Sequence, residues 1–72
     1  MIEVVVQETG DSAEAATPED AVYAAMTLCR EAHAVMHRRP AFHVSFFVDG
    51  MLVRTERETS LGISLIESRR AA

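Results

Sequence analysis

Two histidines form the strongest candidate for chemistry in this chain. His33 and His37 are four residues apart, a spacing at which both rings lie on one face of a helix and can chelate Zn²⁺. The three residues between them are alanine, valine and methionine, so the glutamate that makes such a pair catalytic in zinc proteases is absent. The pattern therefore excludes a zinc protease and leaves His33 and His37 as candidate ligands of a metal or a small molecule.

The histidines also have a structural interpretation. His33 would be half-buried at the edge of the helix, and His37 would stabilise the negative carboxyl end of the helix dipole. His43 would pair with Glu56 across two strands. A histidine pair without further ligands is a weak indication of a metal site. We therefore expect no cofactor, with Zn²⁺ at the histidine pair as the alternative.

No other pattern indicates catalysis. The chain has three glycines, and none forms a nucleophile elbow or a phosphate-binding loop. The single cysteine, Cys29, lies in the middle of an apolar pattern, which is typical of a packed side chain and not of a reactive thiol. We expect a noncatalytic protein.

One amphipathic helix is predicted from Thr17 to Arg39. Thr17 can cap it, Pro18 suits its first position, and Pro40 ends it. At about 100° per residue, one wide apolar arc gathers Ala21, Val22, Ala25, Met26, Leu28, Cys29, Ala32, Val35 and Met36. A helix with such a broad, alanine-rich arc can pack closely on a flat β-sheet. We therefore expect strands before and after the helix in the sequence.

Strands are predicted before and after this helix. Met1–Gln7 alternates apolar and polar faces, and Asp49-Gly50 lies between two β-rich runs, which indicates a hairpin with a type I′ turn. The resulting register pairs Val48 with Met51, Phe47 with Leu52, Phe46 with Val53, Ser45 with Arg54, Val44 with Thr55 and His43 with Glu56. Its helix-facing residues would be Phe42, Val44, Phe46, Val48, Met51 and Val53.

The remaining segments complete the predicted fold. Glu8–Ala16 is acidic with a turn signal at its centre, which predicts a solvated connector. Ser60–Glu67 alternates as a strand would, with a helix as the alternative, and Ser68–Ala72 is predicted to be a frayed tail. We expect a single α+β domain spanning residues 1–72, ordered β-α-β-β with a fourth strand at the C-terminal end and one helix on one face of a mainly antiparallel sheet. A right-handed crossover would make the first strand parallel to Phe42–Val48.

One helix can cover only one face of such a sheet. The open face would carry Val5, Phe47, Leu52 and Ile66, and contiguous exposed apolar side chains usually mark an interface. We expect a homodimer packed sheet to sheet, with a different protein as the alternative partner. In the structural interpretation, Phe47 and Leu52 are only an ordinary exposed cross-strand pair.

Composition limits the classes of partner. The chain is 49% hydrophobic and 25% charged with a net charge of −4, and residues 1–20 contain no basic side chain. A folded protein without general nucleic-acid binding is expected. No apolar run is long enough to cross a membrane and no basic signal-peptide region precedes one, so we expect a cytoplasmic protein. The acidic connector could make the chain an inhibitor that imitates nucleic acid, although such charge more often keeps a protein soluble.

Overall fold

Residues 1–37 and 40–63 are described by a computed structural model, in which one α-helix lies on a four-stranded sheet. The elements are β1 (Ile2–Val6), β2 (Ser12–Ala15), α1 (Pro18–Met36), β3 (His43–Val48), β4 (Met51–Arg57) and a short 3₁₀ helix (Glu58–Ser60) that continues helically through residue 63. The strand order is β2-β1-β3-β4, and every neighbouring pair is antiparallel. The predicted α+β class, with one helix on one face of a mainly antiparallel sheet, is confirmed.

Segment 8–16 is not a solvated connector, because four of its residues form β2. Gly10 turns the chain at φ 77°, and its N–H donates to the Val6 carbonyl at 2.8 Å. Ala13 and Ala15 then face the helix side opposite Val4 and Ile2. Alanine has low β-propensity, so this alternation does not predict a strand.

The direction of β1 also differs from the prediction. β1 pairs antiparallel with β3, not parallel, because β2 reverses the chain before the helix begins. β2 and β3 are both antiparallel to β1 and therefore parallel to each other. The helical crossover thus joins two parallel strands, which need such a connection, but its first strand is β2 and not β1.

The hairpin of β3 and β4 turns at the predicted residues. Asp49 and Gly50 have φ values of 50° and 83°, and a type I′ turn needs positive φ at both positions. The two pairs next to the turn are as predicted, Val48 with Met51 and Phe47 with Leu52.

Beyond these pairs, a β-bulge at Val53 shifts the register by one residue. Phe46 faces Arg54 and Val44 faces Glu56, so the predicted pairs from Phe46 to His43 are wrong. Since side chains alternate between faces, one extra residue exchanges the faces of all that follow. Arg54 and Glu56 therefore lie on the helix side of the sheet, with Arg54 Nη2 2.7 Å from Glu56 Oε1.

Both helix ends follow from local chemistry, although the helix is shorter than predicted. Thr17 Oγ1 accepts the Asp20 N–H at 3.1 Å, which confirms the predicted cap. At the other end His37 adopts a left-handed conformation and donates its N–H to the His33 carbonyl at 2.9 Å. The helix therefore ends at Met36, before residues 38 and 39, which lie outside the described residues.

The last turn of α1 extends beyond the sheet. Val35 is 79% exposed and Met36 is also exposed, although both belong to the predicted apolar arc. The helix has 19 residues and spans about 29 Å, whereas β1 has five and spans about 17 Å. The sheet is too short to cover the whole arc.

The core lies between α1 and the first three strands of the sheet. Its buried apolar residues are Val4, Val6, Ala15, Ala21, Val22, Ala25, Cys29, Ala32, Phe42, Val44, Phe46 and Leu61. α1 packs mainly on β1 and β2, so the predicted core positions Val48, Met51 and Val53 are exposed. The helix leaves the β4 side of the sheet uncovered.

The segment after β4 is helical where the structure describes it. Ser60–Glu67 is predicted as a strand, but residues 58–60 form the 3₁₀ helix and residues 61–63 are helical. Leu61 is fully buried and lines the same surface pocket as Met26 and His33 of α1. Residues 64–72, which include Ile66 and the predicted tail, lie outside the described residues. None of the helical segments within residues 1–37 and 40–63 has the length and apolar character needed to cross a membrane.

Candidate functional site

Three of the four predicted interface residues share the sheet face opposite α1. Val5 lies between the buried Val4 and Val6 of β1, so it points away from the helix. Phe47 of β3 faces Leu52 of β4, and Val5 is a diagonal neighbour of Phe47 across β1 and β3. Val5, Phe47 and Leu52 together are called the open-face patch below. The fourth predicted residue, Ile66, lies outside the described residues.

A polar line crosses the same face beside this patch. Gln7 Nε2 donates to Ser45 Oγ at 2.8 Å, and Ser45 Oγ lies 3.5 Å from Thr55 Oγ1. Ser45 is buried, so these partners satisfy a hydroxyl that would otherwise be costly to bury. The predicted register placed Thr55 on the helix side, and only the bulge brings it into this line.

β4 exposes an unusual run of apolar side chains. Met51, Leu52 and Val53 are 73%, 58% and 60% exposed. In the part of the chain that the structure describes, no strand pairs with the outer edge of β4. An exposed apolar edge strand invites pairing with another chain, which makes β4 the most exposed apolar element of the described fold.

The helix side of β4 borders an apolar cleft. It has a volume of about 170 Å³ and lies between the first turns of α1 and the hairpin; its lining residues are Ile2, Pro18, Ala21, Val22, Phe46, Val48, Val53, Arg54 and Glu56. Among the residues that the structure describes, Arg54 and Glu56 alone bring charge to this lining. Apolar surface is therefore found on both faces of the sheet near β4.

His33 is held by a carboxylate. Its Nε2 lies 2.8 and 3.1 Å from the two carboxylate oxygens of Glu58, and its ring centroid is 4.6 Å from that of Phe42. Glu58 Oε1 also accepts the Phe42 N–H at 3.1 Å. This geometry supports the structural interpretation of His33, while His37 ends the helix. Residues 1–37 and 40–63 contain no group of three or more metal-ligating side chains.

His43 pairs with Glu8 and not with Glu56. Its Nδ1 lies 2.6 Å from Glu8 Oε2, and its N–H donates to Glu8 Oε1 at 2.9 Å. Burial raises the pKa of the Glu8 carboxyl, but the hydrogen bonds from His43 outweigh it and hold that pKa below its ordinary value of 4.5. Glu8 is thus a structural residue and not part of a free acidic cluster.

This lowered pKa predicts an acid-dependent loss of stability. A carboxyl whose pKa is lower in the folded state stabilises the fold above its unfolded pKa, and the effect disappears as the pH falls through the folded pKa. We expect Glu8→Gln to be less stable than wild type at about pH 7, and urea unfolding should show this difference shrinking as the pH falls below the carboxyl's ordinary pKa of 4.5. Glu31→Gln, on the exposed face of α1, controls for the loss of one negative charge. A difference that persists unchanged in acid would contradict the role of Glu8.

Cys29 is a buried free thiol. Burial raises its pKa to about 11, and the negative charges of Glu58 and Glu8 add to the shift. A thiol with so high a pKa is a poor nucleophile at neutral pH, which agrees with its interpretation as a packed side chain.

Comparison with known proteins adds no relative. No protein-family model, curated protein or solved structure matches this chain. Function is therefore inferred from the surfaces around β4.

Proposed function

We propose that the protein is a noncatalytic protein–protein interaction module that self-associates, or binds a partner protein, through the open face of its sheet. The observation that carries this proposal is the open-face patch: Phe47 faces Leu52 and is a diagonal neighbour of Val5 on the face that α1 does not cover. Burial of apolar surface stabilises an association by roughly 25 cal/mol per Å² before the costs of binding. A second copy is the simplest partner, because twofold homodimers are the commonest oligomers.

The polar line on this face is compatible with burial in an interface. Gln7 donates to Ser45, and Ser45 lies within hydrogen-bonding distance of Thr55. Groups that already have partners lose less when water is excluded than groups left unsatisfied. A stable interface hides about 800 Å² on each side, so sheet-to-sheet packing would cover this line together with the open-face patch.

We place this module in the cytoplasm. The only cysteine of the chain, Cys29, is a free buried thiol. Unpaired cysteines stay reduced in the environment of that compartment.

The proposal predicts that two charges on the patch will disrupt the assembly. We expect the double variant Phe47→Lys with Leu52→Lys to halve the number of subunits measured by native mass spectrometry, because burying the two ammonium groups is costly. Its helical circular dichroism should equal that of wild type, since both residues lie on the face away from α1.

A matched double variant tests whether the position matters. Val35→Lys with Ile63→Lys adds the same charges at two exposed apolar residues outside the open face and should keep the wild-type number of subunits. An unchanged assembly in the Phe47 and Leu52 variant, or an equal loss in the control, would refute the proposal.

A further inference from the structure

The outer edge of β4 presents backbone hydrogen-bonding groups at alternate residues. The Glu58 N–H donates to the Phe42 carbonyl at 2.8 Å, so the backbone of Glu58 points towards β3. This direction alternates along an antiparallel strand, and the register is regular from Arg54 to Arg57. The N–H and C=O of Thr55 and Arg57 therefore point outwards, where a further strand could pair with them.

Within the regular stretch of β4 from Arg54 to Arg57, charge selects one register for pairing this edge with a copy of itself. A twofold axis at Arg54, Glu56 or Arg57 would put that residue opposite itself, and like charges directly opposite are destabilising. An axis at Val53 would fall on the bulge. An axis at Thr55 instead puts Arg54 opposite Glu56 of the partner subunit on both sides of the axis. These side chains already form an ion pair of 2.7 Å within one chain, so the dimer would hold four charges of alternating sign.

The polar line on the open face favours the same register. Thr55 ends the polar line that runs through Gln7 and Ser45. An axis at Thr55 puts its hydroxyl beside that of Thr55 of the partner subunit, and cross-strand threonine pairs are favourable. The polar line would then continue unbroken from one subunit to the other.

We propose that a second copy of this chain pairs antiparallel with the outer edge of β4, about a twofold axis at Thr55. The result is one continuous eight-stranded sheet, with the open-face patches of both copies on the same side. The inference goes beyond the proposed function because it concerns the edge of the sheet and not its open face. With both contacts formed, the assembly contains four copies, two paired by their edges and two such pairs packed sheet to sheet.

Charge reversal tests this pairing. Arg54→Glu gives a chain with two acidic side chains on this edge, and Glu56→Arg gives a chain with two basic ones. Each variant alone places like charges opposite each other, so we expect half the wild-type number of subunits in native mass spectra. Mixed in equal amounts, the two chains should restore the wild-type number as complexes that contain both masses, because opposite charges then face each other across the axis.

The mixture also separates pairing from folding. Each single variant loses the ion pair within its own chain, and mixing cannot restore that pair. Recovery in the mixture can therefore come only from contacts between chains. The pairing is refuted if either variant alone keeps the wild-type number of subunits, or if the mixture does not regain that number in complexes that contain both masses.

A backbone variant provides a second test without a change of charge. Thr55→Pro removes the outward N–H at the axis, and an edge strand tolerates proline where the N–H faces away from its neighbour. We expect it to halve the number of subunits. Thr55→Val loses the same hydroxyl but keeps the N–H, so its complexes should survive dilution to a protein concentration at which those of Thr55→Pro have dissociated. An intact assembly in a folded Thr55→Pro variant would overturn the proposal.

The edge and the open face can fail separately. If only the edge pairs, wild type is a dimer that the charge variants dissociate and the Phe47 and Leu52 double variant does not. If only the open face associates, wild type is a dimer that the Phe47 and Leu52 double variant dissociates and the charge variants do not. The edge proposal is then refuted. Four copies in wild type, two after either change and one after both would support the two contacts together, and a monomeric wild type would refute both.

Discussion

Replacement of Phe42 by alanine is expected to lower the free energy of unfolding by about 4 kcal/mol, within the range found for buried phenylalanines. Phe42 is 0% exposed and heads the fully buried side chains ranked by volume. Its ring lies against His33, so its loss leaves a cavity between α1 and the start of β3. A domain of 72 residues has a total stability of only about 4 to 11 kcal/mol. The variant is left with about 0 to 7 kcal/mol, so urea unfolding followed by circular dichroism should show a much lower midpoint than that of wild type.

Two further variants calibrate this expectation. Phe42→Leu keeps most of the buried volume and should cost roughly 1.5 kcal/mol. Met51→Ala removes a side chain that is mostly exposed and should change stability by less than about 0.5 kcal/mol. A loss below about 1 kcal/mol for Phe42→Ala would contradict the position of Phe42 at the centre of the core.

Leu61→Ala is expected to cost about 3 kcal/mol, the second largest effect. Leu61 is 1% exposed and shares its surroundings with Met26 and His33 of α1. It lies within the segment Ser60–Glu67 that the sequence predicts as a strand, in which Leu61 and Ile63 would share one face. The unfolding midpoint in urea therefore decides whether the segment after β4 closes the core.

Ile63→Ala is the matched control for this prediction. Ile63 follows two residues later and is exposed, so its truncation should change stability by less than about 0.5 kcal/mol. Equal losses at the two positions would show that the helical residues 61–63 do not direct Leu61 into the core.

The features that sequence predicts correctly are those fixed by local chemistry. A threonine hydroxyl reaches the start of its own helix, and Asp49-Gly50 supplies the two positive φ values of its turn. The period of two along β1 likewise places Val4 and Val6 in the core and Val5 on the open face. Each of these predictions depends on residues within one short segment.

The features that sequence misses depend on contacts between separate secondary-structure elements. β2 is rich in alanine and forms because it pairs with β1. No turn residue in the sequence indicates the bulge at Val53. Leu61 becomes helical and buried in a space that α1 and the hairpin leave between them. Hydrophobic periodicity is ambiguous in such short runs, so tertiary packing decides the outcome.

The candidate site likewise contains some residues whose placement the sequence predicts and others whose placement it does not predict. Val5, Phe47 and Leu52 are predicted to share a face because alternation on β1 and the pairing next to the turn do not involve the bulge. Arg54, Thr55 and Glu56 come after the bulge, so the sheet face on which each one lies cannot be predicted from alternation. The pairing of His33 with Glu58 joins residues 25 positions apart, and no local pattern connects them.

The strand order has a consequence for the time at which the protein can fold. β1 is made before its neighbours in the sheet, and one of them, β3, begins at His43. The β1–β2 hairpin and α1 can form while the rest of the chain is still being synthesised, but an isolated hairpin is marginally stable at best. The core closes only when Leu61 has been added. A nascent chain that stops short of this residue therefore presents the apolar faces of β1 and α1 to chaperones and to other chains.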